Sequence, residues 1–373
     1  MPYVRVSVLG LTLAALLWPL PGGAIPLFAH QYGVTCRKCH TVIPHLTQFG
    51  DAFMASGDRI PGVQPGDAIP FAFKVNLVDS SENQGPGPNG EGLPKEIVDE
   101  VELFTAGAIG TRGSFYVEKY AVDGGFPGRI REMWFNDRVN PWSSRIPVYV
   151  QAGSFTLSLP VDPETFRESY QDYAPYVQTV GNNPFDFFDP HVGFRVSVGN
   201  PLAGLNVQLF AGPGHDPGSD LRTVGTDTME FVQQTMGFLA PSFFHYEGTR
   251  PTGLGMLDQF QRTGWGLVYN DFAKWESDAV VMTGWDSNCE APPGAGGCAS
   301  SGGFEQLRYA PSPRFFVLGR YEGTYDTIGG LQRDGVLMAG YGSSENSRVT
   351  IEDVIAHTPL TSNTMNAQFT IGY

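Results

Sequence analysis

Charged residues are scarce in this chain, and basic ones are the scarcer kind. Charged side chains make up 16% of its 373 residues, whereas a soluble domain usually carries about 25%. The chain has 23 Lys and Arg residues against 38 Asp and Glu residues, which gives a formal net charge of −15. This balance argues against a nucleic-acid partner, because phosphate contacts need a basic face, and it favours cations near exposed loops.

Long apolar runs are missing after residue 24. A helix that crosses a bilayer needs about 20 apolar residues, so a helical membrane protein is excluded. A shorter uncharged run from Val6 to Leu17 follows Arg5 and leads into small residues that end at Ala24. This pattern predicts a signal peptide over 1–24, with a retained N-terminal anchor as the alternative.

Cysteine is also rare, and the 4 cysteines form two separate pairs. Cys36 and Cys39 belong to the pentapeptide Cys-Arg-Lys-Cys-His, which ends at His40 and matches the CxxCH motif of c-type haem attachment. Each thiol can form a thioether with a haem vinyl group, and the histidine supplies a nitrogen to the iron. The sequence therefore predicts one covalent haem c with His40 as proximal ligand. A dithiol redox pair or half of a zinc site is the alternative.

The second cysteine pair, Cys289 and Cys298, lies in the Pro- and Gly-rich stretch from Cys289 to Gly303, which we expect to be an external loop. An exported chain permits a disulfide there, with a redox-active dithiol as the alternative. A Cys289–Cys298 disulfide would leave neither sulfur available to the haem.

Glycine, proline and aromatic residues are abundant instead, with 47 Gly, 29 Pro, 26 Phe and 15 Tyr. Phe71, Phe73, Val75 and Leu77 alternate with other residues, which is the period of a strand that has one face on lipid or core. About fourteen such segments follow one another, and the stretch 229–250 could add two more. Membrane-barrel strands need about 9 to 11 residues each, in an even number.

We therefore predict an all-β fold, a closed antiparallel transmembrane β-barrel of about 16 strands. The barrel must close, because an open sheet edge in lipid would leave backbone groups unpaired. Phe369, Ile371 and Tyr373 alternate down to a terminal aromatic residue, which resembles the C-terminal signature of outer-membrane barrels. A soluble sandwich or propeller is the alternative.

The predicted layout has a signal peptide (1–24), a c-type cytochrome segment (25–68) and an outer-membrane β-barrel (69–373). A segment of about forty residues is too small to bury a core of its own. We expect it to lie in the barrel lumen, where the wall supplies the missing burial. The strandless stretch from Pro160 to Pro190 is expected to fold into the lumen or to cover the barrel mouth.

The segment around the CxxCH motif resembles a known family. The run from Ile25 to Pro44 reads IPLFAHQYGVTCRKCHTVIP and is followed by Leu46, Phe49-Gly50 and Phe53. It resembles the haem segment of the monohaem outer-membrane cytochrome/porin fusions, which include the fused iron-oxidising outer-membrane cytochromes. The chain departs from that pattern at His30, where the family commonly has Arg, and at His45, where it commonly has an acidic residue.

The resemblance implies electron transfer across the bacterial outer membrane through one haem in a porin-like barrel. The implied partners are outer-membrane lipid, a periplasmic electron carrier such as a soluble c-type cytochrome, and an external donor or acceptor. Fe(II) oxidation at the cell surface is one option, and the direction of flow stays open. The alternatives are a diffusion porin with an accessory haem segment and a soluble periplasmic haem protein.

The distal haem ligand stays open among several candidates. Met54 lies in the sequence far enough beyond His40 to wrap round the haem edge, and a Met ligand would raise the reduction potential. His30 and His45 are the other nearby candidates, beside a distant residue or an open site.

Two groups of loop residues are candidates for external Fe(II) binding through nitrogen and oxygen ligands. One is His215 with Asp216, and the other is Asp186 and Asp189 with His191. Loop acids of this kind are more often simply solvated.

Overall fold

The computed structural model describes residues 27–60, 63–66, 71–81, 98–124, 126–139, 146–183, 185–200, 202, 204–216, 219–251, 257–288, 297–358 and 360–372. The predicted signal peptide and the terminal Tyr373 lie outside these ranges. Three short helices open the described chain: α1 (Leu27–Tyr32), α2 (Cys36–Cys39) and α3 (Gln48–Ala55). No helix in these ranges has the length and hydropathy needed to cross a lipid bilayer.

Strands form the rest of the architecture. Their bounds are β1 (Phe71–Ser80), β2 (Val98–Ile109), β3 (Gly113–Asp123), β4 (Phe126–Pro127), β5 (Ile130–Arg138), β6 (Val148–Phe155), β7 (His191–Gly199), β8 (Gly204–Asp216), β9 (Ser219–Thr235), β10 (Leu239–Pro251), β11 (Leu257–Asn270), β12 (Trp275–Asp286), β13 (Cys298–Ser312), β14 (Phe315–Asp326), β15 (Gly330–Gly342), β16 (Ser347–Thr358) and β17 (Leu360–Gly372). β4 is a two-residue piece beside β3, and β3 pairs directly with β5. The wall therefore has sixteen strands.

The sheet closes on itself between the first strand and the last. β1 pairs antiparallel with β17, with Val75 opposite Ile371 and Leu77 opposite Phe369. Every other neighbouring pair is antiparallel and follows chain order. The predicted closed barrel is confirmed, and the sandwich and propeller alternatives are wrong, because closure leaves no free sheet edge.

Alternation along each strand separates an outer face from an inner face, as the sequence pattern predicts. In β12, Trp275, Val281 and Trp285 face outward, whereas Glu276 and Asp278 face the lumen and are buried. The two tryptophans are ten residues apart, which in a tilted strand corresponds to an apolar band about 25 Å tall. This outer face is suited to contact lipid.

The two ends of the barrel differ. One rim, called here the terminal mouth, carries the end of β17 and the short turns at 110–112, 271–274, 313–314 and 343–346. The opposite rim, the loop mouth, carries the long connection 156–190 as well as short turns such as 327–329. Among the strand boundaries, one expectation is corrected: β13 already begins at Cys298, so residues 298–303 are strand rather than external loop.

The longest described connection, 156–190, runs from the loop mouth into the lumen, which decides between the two predicted placements. Its Glu168 accepts a hydrogen bond of 2.5 Å from Arg308, and its Ala174 nitrogen donates to Glu322 at 3.0 Å. Tyr173 stacks on Phe304 with ring centroids 4.4 Å apart. These contacts tie the connection to the inner face of β13 and β14.

Candidate functional site

The helical segment 27–60 lies inside the terminal mouth. Leu27 packs against Ala72 and Ala106 at one side of the wall. The Arg59 guanidinium donates to the carbonyls of Gly110 and Gly113 at 3.0 and 2.8 Å. These contacts hold the segment against the inner wall near the turn between β2 and β3.

Helix α2 is the CxxC part of the motif. Residues three apart in a helix lie on the same side, so the single turn brings Cys36 and Cys39 together, with His40 directly after them. Neither cysteine takes part in a disulfide bond. Burial raises the pKa of both thiols above the usual value. A redox-active dithiol needs a lowered thiol pKa, so this environment argues against that alternative.

His40 is held in one orientation. Its Nδ1 atom donates a hydrogen bond of 2.9 Å to the carbonyl oxygen of Pro44. The proton therefore sits on Nδ1, and Nε2 keeps the lone pair that a metal needs. Burial lowers the pKa of His40, which favours the neutral, ligating form.

Helix α3 presses against α2 through a glycine. A Cβ added to Gly50 would lie 2.3 Å from the carbonyl oxygen of Cys39. Thr47 caps α3, because its hydroxyl accepts a hydrogen bond from the Gly50 nitrogen at 3.2 Å and donates to the Lys38 carbonyl at 2.7 Å. The two helices are thus fixed relative to each other around the motif.

A cavity of about 600 Å³ adjoins His40. Its lining comes from the haem-type motif and from the barrel turn and strands beside it: Arg37, His40, Thr41, Thr47, Ser312, Pro313, Arg314 and Tyr341. Cofactor pockets usually measure about 300 to 1,000 Å³. Two cysteine thiols, a neutral imidazole with an available nitrogen and a cavity of this size fit a covalently attached haem.

The three candidates for the distal ligand are placed differently. Met54 is 44% exposed and lines another cavity, of about 330 Å³, between α3 and the wall. His45 is buried, with Nε2 2.7 Å from Glu276 Oε2 and Nδ1 3.2 Å from the Thr41 hydroxyl. Both of its nitrogens are engaged, which disfavours ligation. The side chain of His30 lies outside the described part.

His45 connects the segment to the barrel and to the lumen connection. Burial alone would lower its pKa, but the Glu276 carboxylate outweighs burial and holds the pKa above the ordinary value. Its ring also lies 6.0 Å from that of Phe166, in the connection 156–190. Glu276 was not among the sequence candidates, although an acidic residue at an inward position of an alternating strand is a signal that could have identified it.

Of the two candidate Fe(II) groups, only Asp186, Asp189 and His191 lie among the described side chains, and these three do not gather into a metal site. Asp189 pairs with Arg129 at 2.7 Å, Asp186 accepts from a backbone nitrogen, and the His191 ring packs among aromatic rings. The side chains of His215 and Asp216 lie outside the described residues. Across the described ranges, no three His, Cys, Asp or Glu side chains gather in a way that would hold a metal ion.

The second cysteine pair is described in part. Cys298 is buried at the start of β13 and is disulfide-bonded. Cys289 lies outside the described residues, so the Cys289–Cys298 pairing stays a prediction.

Comparison with solved structures identifies the fold. The anion-selective porin from Comamonas acidovorans superposes with a TM-score of 0.60 at 11% identity, covering 82% of this chain and 99% of that chain. Salmonella typhi OmpF, in complex with daunomycin, gives 0.58 at 10% identity, covering 82% and 97%. The outer membrane channel DcaP of Acinetobacter baumannii gives 0.52 at 12% identity, covering 81% and 95%. No protein-family model and no curated protein sequence matches this chain. The chain thus has the porin-like fold of outer-membrane β-barrels.

Proposed function

We propose that this protein lies in the bacterial outer membrane and transfers single electrons through one haem c bound at its terminal mouth. The arrangement of Cys36, Cys39 and His40 carries this proposal, above all the hydrogen bond that leaves His40 Nε2 available. A bound haem would supply an iron that alternates between the ferrous and ferric states. Cys36 and Cys39 would anchor it by thioethers, and His40 would hold the iron from one side.

The packing of the connection 156–190 against one side of the lumen supports electron transfer over solute passage. Diffusion porins enclose a polar, water-filled channel. Here the inner face of β8 to β13 packs against the connection 156–190 in a buried apolar cluster, with Phe187, Phe244 and Tyr246 each at most 1% exposed. Electrons need no water path, whereas hydrated solutes do.

The difference between the two mouths indicates which side of the membrane each would face, and therefore which partner would bind there. Outer-membrane barrels have short turns on the periplasmic side and longer loops outside. The terminal mouth would then face the periplasm and an electron carrier such as a soluble c-type cytochrome. The loop mouth would face an external donor or acceptor, Fe(II) among them, and the protein would act as an Fe(II)-oxidising cytochrome if electrons flow inward.

The haem is tested first on the full-length protein expressed with a c-type haem attachment system. We expect haem that survives denaturing electrophoresis in the wild type, and none in Cys36→Ala/Cys39→Ala. A His40→Ala variant that retains one or both thioethers is expected to keep covalent haem with altered absorbance bands. A wild-type barrel that folds without covalent haem would overturn the proposal.

Electron transfer is tested in liposomes that contain an entrapped oxidant. We expect an external reductant that does not cross lipid to reduce the oxidant through wild-type protein, and the Cys36→Ala/Cys39→Ala variant to be inactive. Equal rates for the two proteins would contradict a haem-mediated route.

A diffusion porin is the second candidate, favoured by the porin-like fold and by the cavity of about 330 Å³ beside α3. This cavity includes polar side chains such as Gln151, Asn206 and Gln208. Leakage of sugar-sized solutes from liposomes, without electron flow, would favour this function.

A further inference from the structure

The rim beside the His40 cavity carries an excess of positive charge, opposite in sign to the protein as a whole. Arg37 and Lys38 lie on α2, Lys274 lies on the turn before β12, and Arg314 lies on the turn before β14; all four are exposed. The backbone oxygen of Lys274 accepts a hydrogen bond of 2.8 Å from Ala310, so its turn adjoins the end of β13. These four residues are called the basic rim.

Two acidic residues lie nearby, Asp271 on the turn of Lys274 and Glu345 on the turn 343–346, and they offset part of this positive charge. Glu345 lies 3.6 Å from Arg37 in an exposed ion pair. Asp271 accepts hydrogen bonds from the backbone nitrogens of Ala273, Lys274 and Trp275 at 2.7 to 2.9 Å. The Asp271 carboxylate also attracts Lys274, whereas none of the ion pairs in the described ranges includes Lys38 or Arg314. Four basic residues against two acidic ones leave the rim positive.

This local charge is informative because the chain as a whole has 23 basic and 38 acidic residues. Charge of one sign around a site steers partners of opposite sign and raises their association rate by about 10-fold or more at low salt. Arg37 and Arg314 also line the cavity beside His40, so a partner held here would lie next to the proposed haem.

We propose that the basic rim docks a soluble electron carrier whose surface is acidic around its own redox group. This inference rests on the proposed haem and adds the surface through which the haem exchanges electrons at the terminal mouth. With haem bound, one electron would pass between the iron and the carrier in each encounter, so that one centre would be oxidised as the other is reduced, with no bond formed or broken.

Two small redox complexes of opposite charge test whether the basic rim attracts anions and repels cations. The full-length haem protein in detergent is reduced and mixed in a stopped-flow instrument with ferricyanide, a trianion, or with tris(bipyridine)cobalt(III), a trication. For the wild type we expect oxidation by ferricyanide to slow as salt is added, because salt screens attraction, and oxidation by the cobalt complex to accelerate.

A Lys274→Gln/Arg314→Gln variant removes two charges of the rim and leaves the sequence of the CxxCH segment unchanged. We expect its low-salt rate with ferricyanide to fall about 10-fold while the rate with the cobalt complex rises. Comparing the two oxidants separates the electrostatic effect of the rim from a change in haem reduction potential. A change in potential alone would move both rates in the same direction. The control Lys119→Gln/Arg333→Gln removes the same charge from exposed positions on β3 and β15, and we expect both rates to stay at wild-type values.

The outcomes separate the two proposals. The docking role of the basic rim would be overturned, and the haem proposal would stand, if haem is covalently attached but the rim variant changes the rates with both oxidants in the same direction. Equal losses of rate in the rim and control variants would have the same meaning. A folded barrel without covalent haem would overturn both. Opposite shifts for the two oxidants, confined to the rim variant, would support the docking surface.

Discussion

His45 Nε2 and Glu276 Oε2 lie 2.7 Å apart although the two residues are 231 positions apart in the sequence. The side chains are only 6% and 2% exposed. The pair joins the helical segment in the terminal mouth to the barrel wall at the start of β12. A buried charge is destabilising when its partner is removed, so this contact is expected to hold the segment in place.

Removing one partner of this pair should loosen the segment. We expect Glu276→Ala to weaken docking of residues 27–60 by about 3 kcal/mol, since His45 would be left buried without its carboxylate. The measurement is the rate of tryptic cleavage at Arg37 and Lys38 in the folded barrel. His45→Ala/Glu276→Ala should cost less than the sum of the single variants, and additive costs would contradict a direct coupling.

Adding one methyl group at Gly50 should disturb the CxxCH helix. The Cβ of Gly50→Ala would meet the Cys39 carbonyl at 2.3 Å, so α3 must move away from α2. We expect a loss of covalent haem on denaturing gels. Gly335→Ala is the matched control, because its Cβ meets no atom within 4 Å. Full haem attachment in Gly50→Ala would show that the two helices do not need this contact.

Met54 should not bind the haem iron. Its side chain lines the cavity between α3 and the wall, whereas His40 lines the other cavity. We expect the absorbance spectrum of Met54→Ala to match that of the wild type in both redox states, with His40→Ala as the control that changes it. Loss of a low-spin spectrum in Met54→Ala alone would reinstate Met54 as the distal ligand.

The connection 156–190 should seal the lumen. Replacing residues 160–189 with a short Gly/Ser linker removes Glu168 and Ala174, which bond to Arg308 and Glu322, and uncovers the inner face of β8 to β13. We expect liposomes with this variant to leak sugar-sized solutes, and liposomes with the wild type or with Glu168→Gln to stay closed. If the wild type leaks as fast as the folded deletion variant, the lumen is already open.

The outer face of β12 should lie in lipid. Val281 is 58% exposed and lies between the outward-facing Trp275 and Trp285. We expect Val281→Arg to lower the free energy of unfolding in lipid vesicles by about 2 to 4 kcal/mol, because the charge would enter hydrocarbon. Urea titration checks this, with Val281→Leu as a control of little effect. An unchanged Val281→Arg midpoint would place this face outside the membrane.

Local patterns were sufficient for most of the fold. Two-residue alternation around Phe71–Leu77 and along Phe369 and Ile371 predicted strands that form as expected, because the side-chain period of a strand is set within the strand itself. The same signal is weaker in 219–235, where only part of β9 was expected. In β9 the outward-facing Thr226, Thr228 and Glu230 are polar, whereas Met229 and Phe231 pack in the lumen cluster, so the apolar residues do not follow the pattern of a lipid-facing strand.

The sequence by itself determined the alternating strands and the CxxCH motif, because both depend on residues a few positions apart. Only the tertiary structure decided that the connection 156–190 enters the lumen. It also decided that Glu276, Arg314 and Tyr341 lie around a segment more than two hundred positions earlier in the chain. Barrel closure brings distant strands to one rim. Which side chains meet there depends on strand register and packing, which no local period encodes.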